Sequence, residues 1–124
     1  MILDATFLID LIAEDDGAIA KLNEISDRLC AVPTLAYTEV GVGLGTDAPE
    51  TRRFEAVMDQ LTLVPYDAEA ARRAVDVQRQ LLANGEPIGT VDVMIAGIAL
   101  ARDEPVVTRN ADEFARTPAR VSPY

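Results

Sequence analysis

Histidine is absent from this chain of 124 residues. Its absence excludes the Ser-His-Asp triad, the Cys-His pair, histidine general-base chemistry and every histidine-containing metal site. A single cysteine, Cys30, excludes an internal disulfide and the cysteine-rich zinc and iron–sulfur sites. Tryptophan is missing as well, and aromatic residues come to 5%. That is too few for the stacking platforms on which single-stranded nucleic acids lie. Lysine occurs once, at Lys21, among 11 basic residues set against 21 acidic ones, for a formal net charge of −10. The basic footprint of an ordinary nucleic-acid binder is therefore missing. Two readings of that acidity stand open. Either nucleic acid is not bound, or the chain works in high salt, where the Debye length shrinks to ~3 Å at 1 M. No stretch approaches the ~18–20 uninterrupted apolar residues of a membrane span. Met1-Ile2-Leu3-Asp4 carries no basic leader and Asp4 and Asp10 break its apolar run, so a cytoplasmic protein without signal peptide is expected.

What is present is ordinary for a globule: 49% hydrophobic and 26% charged residues, enough for one domain over 1–124 with a real core. Met1-Ile2-Leu3-Asp4 reads as a short buried strand ending in an acid. Thr6 is expected to cap a helix over Phe7–Ile12, and Ala18, Leu22, Ile25 and Leu29 mark a second helical face. Cys30-Ala31-Val32 reads as a strand closed by Pro33. Thr34 to Leu44 reads as a helix with Leu35 and Val42 along one side, Thr38 and Glu39 near it. Glu50 to Leu61 is helical, with Phe54, Val57, Met58 and Leu61 in phase, and Leu63-Val64-Pro65 is a third strand. Asp67 should cap a long helix through Leu82, ended by Asn84-Gly85. Thr90 opens the next helix, Pro105-Val106-Val107-Thr108 is a strand, and Arg120-Val121 a fifth. Alternating strands and helices predict an α/β fold, a three-layer α/β/α domain around a mainly parallel sheet of four to five strands.

In open α/β sheets ligands sit beyond the carboxyl ends of the strands. Asp4 ends the first strand, and Asn110 lies just past Val106–Thr108. Glu39 and Asp92 fall about a turn inside helices, among apolar neighbours. An acid there costs desolvation unless a cation or donor offsets it, and hard oxygen ligands suit Mg²⁺ or Mn²⁺. The plainer explanation of an acid at a helix start is a cap, worth ~0.3–1 kcal/mol. It is adopted for Asp15, Asp47 and Asp67 and left open for Asp4 and Asp92, although Thr90 already offers a cap beside Asp92.

These residues carry a resemblance. Ile2-Leu3-Asp4-Ala5-Thr6-Phe7-Leu8-Ile9-Asp10 resembles the opening of PIN-domain ribonucleases, and Thr34-Leu35-Ala36-Tyr37-Thr38-Glu39 resembles their second motif. Pro87-Ile88-Gly89-Thr90-Val91-Asp92-Val93-Met94-Ile95-Ala96 is similar to the third, and Val107-Thr108-Arg109-Asn110-Ala111-Asp112-Glu113-Phe114 to the fourth. Order and spacing agree over essentially the whole chain, whose size is that of VapC-type toxins of toxin–antitoxin pairs. The chain departs at Ala5, where the family often has Thr, and at Asn110, an amide in the fourth acidic position.

The resemblance implies a Mg²⁺-dependent endoribonuclease, with Mn²⁺ as substitute, hydrolysing phosphodiesters in structured RNA such as tRNA or rRNA stem-loops. Asp4 and Asp92 become the metal ligands, Glu39 a further ligand or the base, and Asn110 a holder of water or of the scissile phosphate. Asp112 or Glu113 stands in reserve, with Asp112 equally readable as the cap of a short Glu113–Arg116 turn. Thr6 is assigned to orienting Asp4, Thr108 to a structural hydrogen bond, and Arg109 to neutralising the acid cluster or pairing with phosphate. The number of metals, one or two, is left open. By the same resemblance the partners are a VapB-type antitoxin and a second copy of the chain, as a homodimer or a heterotetramer or larger with antitoxin. Phe54, Met58 and Leu61 are candidates for an apolar dimer patch. Arg52, Arg53, Arg72, Arg73 and Arg79 read as a solvated face paired with acids such as Glu69.

The rival reading is a PIN-like interaction scaffold without competent chemistry, suggested by Asn110. A receiver-like module fits worse, since it needs a lysine after its last strand and the chain's lysine is Lys21. The near-absence of lysine, a composition resembling that of halophile proteins, leads to one more expectation. Stability and cleavage should both rise as KCl goes from tenths molar toward molar.

Overall fold

Pairs of adjacent apolar residues bounded by Pro, Asp or Thr make strands too short to stand alone, and the three at the centre of the sheet are buried on both faces. The computed structural model describes residues 1–46 and 49–124. The order is β1 (Ile2–Leu3), α1 (Ala5–Ile12), α2 (Asp16–Glu24), β2 (Ala31–Pro33), α3 (Thr34–Val42), α4 (Pro49–Met58), β3 (Thr62–Val64), α5 (Ala68–Asn84), α6 (Thr90–Arg102), β4 (Val106–Thr108), α7 (Ala111–Phe114) and β5 (Val121–Pro123). The strands form one sheet in the order β3-β2-β1-β4-β5, every neighbouring pair parallel. The sheet is thus wholly parallel with five strands, flanked by helices as an α/β/α sandwich.

Register sets where the site falls. Ile2 lies beside Ala31 and Val106, and Leu3 beside Val107, so the carboxyl ends of β1 and β4 are level. The chain winds outward one way through β2 and β3 and the other way through β4 and β5. The reversal lies between β1 and β4, the switch point at which open α/β sheets leave a crevice. Ile2, Leu3, Phe7, Leu8, Val106, Val107 and Phe114 have no measurable exposure. Burying each such side chain stabilises the fold by roughly 1.5–3 kcal/mol.

The helix carrying Asp92 is drawn in by a glycine. A Cβ on Gly97 of α6 would stand 2.4 Å from the Ala70 carbonyl oxygen and 3.0 Å from the Ala74 Cβ. Only hydrogen at that position lets α5 and α6 approach so closely. The turn between them is closed by Gly85, left-handed at φ 65°, directly after Asn84 as the sequence indicates.

Several local expectations need correction. Asp4, not Thr6, caps α1: its carboxylate accepts from the Phe7 amide at 3.0 Å, and the helix starts at Ala5. Thr90 caps nothing; Gly89 is the capping residue and supplies no side-chain bond. Asp112 lies inside α7, whose cap position is Asn110, so Asp112 is not a cap either. Leu29 is 89% exposed because α2 ends at Glu24, and Val42 is 82% exposed because α3 buries Ala36 and Val40 instead. Phe54 is in the core against Tyr37, with Met58 and Leu61 packed on the same cluster, so the three do not form an open apolar patch. Asp15 and Asp67 cap their helices through the Ala18 and Ala70 amides, each at 2.9 Å. Asp47 lies outside the described residues.

Candidate active site

Asp4 stands at the end of β1, its amide bonded to the Val107 carbonyl of β4 at 3.2 Å, which fixes its backbone at the switch point. The side chain is 1% exposed. Oδ1 accepts from the Thr6 hydroxyl at 2.7 Å and from the Phe7 amide at 3.0 Å, and Oδ2 accepts from the Thr108 hydroxyl at 2.5 Å. Burial raises its pKa, and these donors only partly counter the rise. Three donors from two strand ends leave the carboxyl one orientation. Thr108 also accepts from the Asn110 amide at 2.8 Å, tying the loop after β4 to the same network.

Asp92, in the first turn of α6, is half-buried, and its pKa is pushed up to about 7. Loss of hydration is the main cause; next come a hydrogen bond with the Glu113 carboxyl and the charges of Asp4, Glu113 and Glu39. Asp4 after β1, Glu39 on α3 and Glu113 on α7 thus lie within electrostatic range of Asp92 on α6. Like charges nearby disfavour ionisation, which adds to the effect of burial on Asp92. Glu39 is exposed on the rim, where it also lines a groove of about 530 Å³ with Ile9, Ile12, Val40 and Leu44.

Of the two acids on α7, Glu113 is partly buried and acts on Asp92 by hydrogen bonding and charge, whereas Asp112 is exposed. Asn110 is half-buried, its amide on the Thr108 hydroxyl. Arg109 pairs through Nη1 with Asp10 at 2.6 Å, and its backbone amide donates to the Thr6 hydroxyl at 3.0 Å. Sequence reasoning missed Asp10 and Tyr124. Asp10 sits six residues after Asp4 on α1, and its Oδ2 accepts from the Tyr124 hydroxyl at 2.6 Å. Nothing local to either residue signals a pairing across 114 positions. Glu69 binds Arg72 and Arg73 as the helical spacing suggests, well away from these acids in sequence.

The donor set is all oxygen and hard, and its mutual repulsion is what a divalent cation relieves. Those residues fit a metal by their chemistry. Among the described residues no three carboxylates stand as a ready chelating group. No helix is long and apolar enough to cross a membrane among the described residues.

Comparison with known proteins places this geometry. The model of the PIN domain family matches residues 1–120. A relative from Salmonella typhimurium, the tRNA(fMet)-specific endonuclease VapC, is 39% identical over 101 residues, covering 79% of this chain and 76% of that protein. Ribonuclease VapC5 of Mycobacterium tuberculosis is 36% identical over 109 residues, covering 84% and 79%. The crystal structure of DNA-bound VapBC from Salmonella typhimurium superposes with a TM-score of 0.81 at 28% identity, over 98% of this chain and 96% of that one. Ribonucleases of this family depend on a divalent metal. With its acids at the β1–β4 switch point and its match over nearly the full length, the chain belongs to the PIN-domain family, among the VapC-type ribonucleases.

Proposed function

We propose that this chain is a Mg²⁺-dependent endoribonuclease acting in the cytoplasm on structured RNA, tRNA before rRNA, as the toxin of a toxin–antitoxin pair. The observation that carries the reading is Asp4, buried at the carboxyl end of β1 at the switch point of the sheet, with the charges of Asp4, Glu39 and Glu113 raising the pKa of Asp92. Acids gathered in a crevice with perturbed pKa values mark candidate functional sites. The tRNA preference is supported by the Salmonella relative's name, and the VapB-type antitoxin by the VapBC complex that superposes on the fold. A homodimer, joined by antitoxin into a heterotetramer or larger, follows from the same likeness.

Asp4 and Asp92 would hold the ion, with Glu39 and Glu113 completing the set; Mn²⁺ suits the same oxygens. Bound metal supplies Lewis acidity, lowering the pKa of water and neutralising charge on the phosphate. The chain's own residues do the rest. Thr6, Thr108 and the Phe7 amide hold Asp4 in one pose, so no rotamer search precedes binding. Glu39, exposed on the rim, is placed to orient the attacking water and accept its proton at a carboxylate oxygen. Asp92, its pKa pushed up to about 7, would have to give up its proton to hold a cation, which would couple loading to pH. Asn110 offers a neutral side-chain amide donor to a phosphate oxygen.

The test is cleavage of total tRNA at fixed enzyme in Mg²⁺, in Mn²⁺ and in excess EDTA. Discrete fragments in either metal and none in EDTA support the reading. Fragments that persist unchanged in EDTA would overturn the metal dependence, and no fragments at low and at high KCl alike would overturn the reading in favour of the inert scaffold.

A further inference from the structure

Arg109 is fixed at both ends. Its backbone amide donates to the Thr6 hydroxyl at 3.0 Å, and that hydroxyl donates onward to Asp4 Oδ1 at 2.7 Å. At the other end Nη1 meets Asp10 Oδ1 at 2.6 Å. Asp10 in turn is held by the Tyr124 hydroxyl at 2.6 Å, and the Tyr124 ring sits edge-on to Phe7, centroids 5.0 Å apart and planes at 71°. Phe7 is wholly buried and is the residue whose amide donates to the capping carboxylate of Asp4. One rigid chain of contacts thus runs from the core through Tyr124 and Asp10 to the guanidinium. The Asp10 side chain is 13% exposed but that of Arg109 is 55% exposed.

This is an odd use of an arginine if neutralisation were its task. A guanidinium carries five N–H donors in a fixed fork, and among the described residues one pairing, to Asp10, is made. The rest of the fork is on a side chain more than half exposed, and the backbone amide of the same residue is two hydrogen bonds from Asp4, through the Thr6 hydroxyl. In a chain of net charge −10, a polyanion approaching this crevice needs a cation whose direction is set beforehand.

We propose that Asp10 and Tyr124 are positioning residues that hold the Arg109 fork to grip a backbone phosphate of the RNA beside the Asp4 cluster. The proposal rests on the RNA reading above but adds the element by which an acidic protein engages its substrate. Asp10 turns a flexible arginine into a pre-oriented one, so less rotamer freedom is lost when phosphate is bound. Tyr124 keeps Asp10 from rotating away with the arginine. The charge of the Asp10–Arg109 pair is near zero, so the grip is directional rather than a bulk attraction.

The sign of one substitution separates this from simple electrostatics. Asp10→Asn removes a negative charge next to a polyanion, so an Asp10 that merely repels RNA predicts tighter binding. A positioning Asp10 predicts weaker binding. The probe is a fluorescein-labelled, fully 2′-O-methylated tRNA stem-loop, read by anisotropy in Mg²⁺ with the full chain. Arg109→Gln should weaken binding about tenfold and Asp10→Asn about threefold to fivefold, as expected when a charge-assisted hydrogen bond is removed or loosened. Tyr124→Phe, neutral in charge, should weaken it about twofold. In the Arg109→Gln background Tyr124→Phe should do almost nothing and Asp10→Asn should no longer weaken binding, and Arg109→Lys should recover the salt slope but not the affinity. Arg109→Gln should also lower the slope of log K against log salt by about 0.7, the share of one single-strand phosphate.

Tighter binding by Asp10→Asn, additive effects across the cycle, or no binding by the wild type overturns the proposal. Tyr124→Phe keeps the test decisive should Asp10→Asn melt early. Binding that follows the cycle in a protein that cleaves nothing would sink the nuclease reading and leave the clamp standing. Cleavage by a protein whose cycle is additive does the reverse.

Discussion

Asp92 binds its proton far more tightly in the folded protein than in the unfolded chain, and that difference is measurable as stability. Its pKa rises from 3.8 to about 7. For a carboxyl shifted upward the folded state keeps the proton that the unfolded state has released, so stability falls with pH across the window between the two values. The contribution is fully present below about pH 4 and gone once the pH has passed about 7. At 1.36 kcal/mol per unit the shift corresponds to roughly 4 kcal/mol. Half-burial and solvent screening reduce that to about 2 kcal/mol. The perturbation is Asp92→Asn, which keeps shape and hydrogen bonding to Glu113 but cannot ionise. Urea unfolding in EDTA from pH 4.5 to 8 should show the wild type losing about 2 kcal/mol relative to the variant as pH rises. Comparing the two cancels the background repulsion of the other acids. Glu113→Gln should shrink the same gap by lowering the Asp92 pKa. Parallel pH profiles for wild type and Asp92→Asn would refute the claim that these carboxyls are forced together.

Metal should reverse this trend, since an ion held by Asp92 would compete with the proton there: stabilisation by Mg²⁺ should be larger at pH 8 than at pH 5, reaching about 2.7 kcal/mol at a hundredfold excess over Kd. Thr108→Val leaves Asp4 Oδ2 without its buried donor and should cost about 1–3 kcal/mol, read by urea unfolding, with a further loss of cleavage. Gly97→Ala should cost about 1–3 kcal/mol by forcing α6 away from α5, whereas Gly43→Ala, whose Cβ would find its nearest atom at 3.5 Å, should be nearly neutral. Melting temperature and cleavage should both rise along a KCl series toward molar, because screening relaxes 21 acids against 11 bases; a flat or falling melting curve would make the acidity incidental.

Much of the site was visible in the sequence because it is carried by junctions. Asp4 follows two apolar residues and precedes a helix, and Asp92 follows a Pro-Ile-Gly loop, so both were expected at element ends, Asp4 at the carboxyl end of a strand. The hydroxyl of Thr6 was rightly tied to Asp4 but wrongly made the cap, because either residue satisfies the pattern of a polar side chain at a helix start. Asp112 and Glu113 could not be separated by spacing; only the rotation of α7 directs Glu113 to Asp92. Periodicity misled at Leu29 and Val42, since it marks a face without saying where the helix ends or which side meets the sheet. Asp10 and Tyr124 were unreadable for a different reason: their partnership is made by β5 closing the sheet edge, and no local rule reports it.

The central claim is that the Asp4 crevice cleaves RNA through a divalent metal. The measurement that tests it most directly is single-turnover cleavage of a 5′-labelled tRNA in Mg²⁺ by the wild type, Asp4→Asn and Asp92→Asn, each shown folded by its melting curve. The prediction is metal-dependent fragments with the wild type and a loss of at least about 100-fold in rate with each variant. Equal cleavage by folded Asp4→Asn would contradict it, and the acids would then be a structural cluster rather than an active site.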